Sequence, residues 1–140
     1  MFKHYTILMI ILFAIISFGI SCSSNDAETR TPGSTSVGGA NILTGPEVNE
    51  DLEITETQTS FEPNQEFYFH FHNNMPFNSE LVTVQLVGNS DEKILAESDY
   101  EVDPEDAELT DKIWFGSRGM HTIIVMVDGE TRATREVLIE

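Results

Sequence analysis

The chain has 140 residues, with 24 Asp and Glu against 7 Lys and Arg, for a formal net charge of −17 at pH 7. That balance excludes nucleic-acid binding and attraction to anionic lipid, both of which rely on basic side chains neutralising phosphates. A single cysteine, Cys22, leaves no internal disulfide, so a folded domain must hold by core packing alone.

From Met1 the chain carries Lys3, then runs apolar from Tyr5 to Ile20 and ends on small residues before Cys22. A basic start, an apolar stretch and small residues are the anatomy of a secretory signal peptide. The tetrad Gly19-Ile20-Ser21-Cys22 resembles the lipobox of bacterial lipoproteins, although Gly19 stands where leucine is usual. The resemblance implies cleavage before Cys22, lipidation of that cysteine and partnership with a lipid bilayer. The apolar run is shorter than the roughly 20 residues that span a bilayer comfortably, which argues against an uncleaved anchor helix. Cleavage would remove Lys3 and no acidic residue, taking the charge from −17 to −18. Ser23 follows the cysteine where aspartate favours inner-membrane retention, so the resemblance points to the outer membrane, facing the periplasm or the surface.

Residues 22–47 are rich in Ser, Thr, Gly and Pro, too poor in apolar side chains to offset ordering entropy, and read as a flexible tether. The folded domain is expected over 48–140, about 90 residues and enough for one small core. Within it, short alternating patterns predict strands at Leu52–Thr57, Glu66–His72, Leu81–Val87, Ile94–Glu97, Asp99–Val102, Lys112–Phe115, His121–Asp128 and Thr131–Ile139. Turn residues separate them, Asp128-Gly129 giving the clearest hairpin signal. The fold class that follows is all-β, an immunoglobulin-like antiparallel sandwich of about seven strands. The tail Gly119-Met120-His121-Thr122-Ile123 through Val127-Asp128-Gly129, with Val137-Leu138-Ile139, resembles the closing hairpin of bacterial Ig-like domains. That resemblance implies a fold and transfers no function.

His70-Phe71-His72 is the sharpest chemical feature, because residues i and i+2 of a strand share a face. With Met75 nearby, His70 and His72 suit copper, and a metal-binding protein is one alternative reading. An ordinary solvent-facing strand surface explains the same pattern, and His121, sharing parity with Ile123, Val125 and Val127, is expected to face the core. The acidic run Asp99–Glu108 lacks the ligand spacing and glycine of a calcium loop and reads as a solvated edge. No catalytic motif emerges, and no cofactor is expected. If the strands around Tyr68, Ile124 and Leu138 share one sheet, then Tyr68, His70, His72, Ile124, Met126 and Leu138 form an apolar, aromatic face for a protein partner or homodimer, with Trp114 exposed depending on its register. The sequence therefore reads as a membrane-anchored envelope lipoprotein with a non-catalytic binding or structural module, or as an accessory subunit of an envelope complex.

Overall fold

The computed structural model describes residues 31–140, so the signal segment and Cys22 lie outside the described residues. Among these, nine strands form in chain order: β1 (Ser34–Ser36), β2 (Asn41–Gly45), β3 (Ser60–Phe61), β4 (Phe67–His72), β5 (Leu81–Gly88), β6 (Lys93–Glu101), β7 (Glu108–Ile113), β8 (Gly119–Val127) and β9 (Glu130–Ile139). One sheet runs β1-β9-β8-β5-β6, with the two-residue β3 lying parallel to β9; the other runs β2-β4-β7. The remaining pairings are antiparallel. The chain changes sheet at every step from β1 to β5, and again between β6 and β7 and between β7 and β8. Two antiparallel layers joined by such crossings make a β-sandwich.

Alternation sets the core. Phe67, Phe69 and Phe71 of β4 are fully buried and face Val82, Val84, Ile123, Val125 and Val137 of the opposite sheet. Burying each such side chain contributes about 1.5–3 kcal/mol. An aromatic column joins the layers: Phe61 stacks on Phe67 with ring centroids 3.8 Å apart, Phe67 approaches Phe115 at 6.3 Å, and Phe115 stacks on His121 at 4.5 Å. His121 is buried, as its parity requires. Its Nε2 lies 2.7 Å from the Ser117 carbonyl, which only accepts, so that nitrogen carries the proton.

Four expectations change. Part of the presumed tether is domain: β1 and β2 both fall within 22–47, and Ala40, Ile42 and Thr44 are buried. Glycines on either side of Asn41-Ile42-Leu43-Thr44 gave the stretch a linker composition, yet Ile42 and Thr44 alternate into the core beside β4. Conversely, Leu52–Thr57 forms no strand beyond a single bridge between Val48 and Ile54. Asn49 curls that segment instead, its Oδ1 accepting from the amides of Asp51 and Glu53, and Leu52 adopts a left-handed φ of 61°. The two short strands expected at 94–97 and 99–102 are one continuous β6, and β7 starts four residues before Lys112, inside the acidic run.

The curled segment docks on Gly45. A methyl group there would collide with the Glu56 carbonyl oxygen and the Ile54 side chain. Gly45→Ala should therefore push the 46–57 segment outward and cost about 1–3 kcal/mol, read from urea unfolding. Phe67→Ala, which breaks the aromatic column at its centre, should cost about 3–5 kcal/mol in the same assay.

Candidate functional site

The residues singled out by pattern divide between two surfaces. Tyr68, His70 and His72 point outward from the three-stranded sheet, each opposite a residue of β7: Tyr68 with Lys112, His70 with Thr110, His72 with Glu108. Ile124, Met126 and Leu138 lie on β8 and β9 of the six-stranded sheet. The single six-residue face is therefore corrected: β4 belongs to the other layer, because the chain crosses sheets between β4 and β5. Ile124, Met126 and Leu138 are each half-buried, Ile124 opposite Gln85 and Thr134, Met126 opposite Thr83 and Thr131, and Leu138 opposite Met120 and Ser60.

On the three-stranded sheet, each pair across β4 and β7 is chemically matched. Lys112 Nζ sits 5.2 Å from the Tyr68 ring centroid and 3.7 Å from Glu66 Oε2. Thr110 Oγ1 donates its one proton to the Leu52 carbonyl at 3.1 Å, so it accepts from His70 Nδ1 at 2.7 Å. The Glu108 carboxylate accepts from His72 Nδ1 at 3.0 Å. These bonds tie β4 to β7 and pin the curled 46–57 segment over His70, which is only 8% exposed. Met75 stands exposed on the loop beyond β4, where its carbonyl accepts from Asn73 Nδ2 at 2.7 Å. Among the described residues no group of three or more His, Cys, Asp or Glu is placed to hold a metal. The geometry gives both histidines a cross-strand partner rather than each other.

A different surface combines an unpaired strand edge with a cleft, and the sequence reading passed over it. β6 pairs only with β5, and β7 only with β4, so both strands leave an edge unpaired on the same side of the sandwich. The cross-strand partners of core residues Val82, Val84 and Leu86 are Tyr100, Ser98 and Ala96, so these three face inward from β6. Ala96 and Ser98 are too short to reach β7. A cleft of about 380 Å³ stays open between the edges, with Leu86, Leu95, Ile113, Trp114 and Phe115 on its walls beside the polar Ser98, Tyr100, Asp111 and Lys112. Trp114 is 56% exposed at its rim, and Ile94 and Leu95 are exposed on β6.

One side-chain bond spans this opening. Tyr100 Oη donates to Asp111 Oδ2 at 2.7 Å, linking β6 to an inward-pointing carboxylate on β7. Burial holds the Tyr100 hydroxyl's pKa well above its ordinary value, and the hydrogen bond and negative charge of Asp111 raise it further. Sign follows from linkage. A phenol with a raised folded pKa contributes stability that is fully present below its unfolded value of about 10 and is lost as pH rises beyond it. The urea midpoint of the wild-type chain should fall as pH is raised above about 10, and this alkaline slope should be shallower in Tyr100→Phe.

No protein-family model matches the chain, and no curated protein matches it.

Proposed function

We propose that this chain is a lipid-anchored protein of the bacterial cell envelope whose sandwich is a non-catalytic binding module. The anchor reading rests on Gly19-Ile20-Ser21-Cys22 at the end of the apolar run. The module reading rests on one observation: the open side of the sandwich, where an unpaired strand edge borders a cleft of mixed apolar and polar lining with Trp114 at its rim. Such a surface has the ingredients of recognition, backbone donors and acceptors beside exposed aromatic area. In this reading the tether shortens to residues 23–33, because the fold begins at β1. A linker of that length lets the module reach a partner while the lipid holds it at the membrane. Two or more acyl chains make that hold firm, where one alone binds marginally.

Metabolic labelling tests the anchor. Radiolabelled palmitate should enter the wild-type chain, and Cys22→Ala should lose the label and leave the membrane fraction. Label retained in the variant would contradict the assignment. A turnover abolished by a point substitution in a polar cluster of the domain would contradict the non-catalytic reading.

A further inference from the structure

We propose that the free edge of β6 binds an extended segment of another protein in which basic and large apolar residues alternate, adding it as a further strand to the six-stranded sheet. The proposal deepens the binding-module reading and rests on it. Three observations carry it.

The first is the edge itself. Alternate backbone N–H and C=O groups of β6 point away from β5, and over Lys93–Glu101 no described strand takes them up. Nine residues of ladder are enough to hold a peptide by main-chain bonds alone in register.

The second is charge. Glu97, Asp99 and Glu101 project from the outer face of β6 at every second position, about 6.8 Å apart. Asp99 accepts from Thr83 Oγ1 at 2.7 Å, and Glu97 accepts from Gln85 Nε2 at 2.6 Å. Neutral donors on β5 thus fix two carboxylates in place, while among the described residues none of the three meets a Lys or Arg. Lys or Arg at alternate positions of an added strand would face these carboxylates directly across the new pairing. A second copy of this chain brings a net charge of −17 to the same edge and is disfavoured.

The third is the cleft. On the inner face of the same edge, Ala96 and Ser98 leave space above Ile113 and beside Trp114. The residues of an added strand that alternate with its basic positions would point there. Charge alone blunts an edge strand; carboxylates on the outer face, above a cleft walled in part by Ile113, Trp114 and Phe115, instead specify what may pair with it. Recognition by strand addition draws affinity from the main chain and specificity from alternate side chains. The expected motif is therefore basic-apolar-basic-apolar, with bulky apolar positions.

The test uses the full chain in detergent and fluorescent nine-residue peptides alternating Lys with Val or Phe. Anisotropy should report binding, and hydrogen exchange should slow at β6 amides. Affinity should fall by at least about tenfold for the triple variant Glu97→Gln/Asp99→Asn/Glu101→Gln. It should fall similarly for a peptide N-methylated at alternate residues, whose charge is unchanged. Trp114→Ala, at an exposed position with little bearing on folding, should weaken binding without altering its salt dependence. Equal binding of a scrambled or N-methylated cationic peptide, with no protection at β6, would reduce the effect to non-specific charge and overturn the proposal. So would a dimer of the chain that the β6 variant dissolves. If the peptides fail but the wild-type and triple-variant chains capture the same envelope protein, the edge proposal falls and the binding module stands. Failure of both removes both.

Discussion

The aromatic column running from Phe61 through Phe67 and Phe115 to His121 is the contact on which the rest of the structure depends. No disulfide joins the sheets, so face-to-face packing has to hold them. The column bridges the layers: Phe61 and His121, at its two ends, belong to the six-stranded sheet, while Phe67 and Phe115 between them come from the other layer and its edge. Aromatic pairing adds about 0.5–1.5 kcal/mol per pair beyond area burial. It also fixes the parity of β4. With Phe67, Phe69 and Phe71 turned inward, Tyr68, His70 and His72 must face out, where β7 supplies each with a partner.

That packing is strongest toward β9 and thins toward β6. On the β9 side, β1, β2 and β3 cover the sandwich, and Thr44 and Gln58 exchange hydrogen bonds that seal the entry of the chain, Gln58 N meeting the Thr44 carbonyl at 2.8 Å. On the β6 side the inward residues shrink to Ala96 and Ser98, and only Tyr100 bridges to Asp111. A sandwich closed by side chains on one side and by a single hydrogen bond on the other has a direction built into it. Its open side is where backbone groups, apolar area and unneutralised carboxylates coincide, which is why function is placed there rather than at the histidines.

Much of the fold was legible in the sequence because period-2 alternation and turn chemistry are local signals. Phe67, Phe69 and Phe71, the core parity of His121 and the Asp128-Gly129 hairpin all read directly. What failed depended on partners far along the chain. Asn41–Gly45 looked like linker because its composition is that of a linker, and only the neighbouring β4 makes Ile42 a core residue. Leu52–Thr57 alternates, but the Asn49 side chain captures its amides and curls it. The proposed common face failed for a topological reason, since nothing local says which sheet a strand joins. The open cleft was illegible for the opposite reason: it arises from small residues at positions where larger ones would close the gap, and Ala96 and Ser98 carry no motif.

The most direct test of the account is where a bound partner segment touches the domain. With the chain isotopically labelled and an alternating Lys/Val/Phe peptide unlabelled, the account predicts a regular series of cross-strand nuclear Overhauser contacts along Lys93–Glu101, with further contacts to Trp114 and Ile113. Contacts confined to the Tyr68, His70 and His72 face, or to Ile124, Met126 and Leu138, with none along β6, would contradict it.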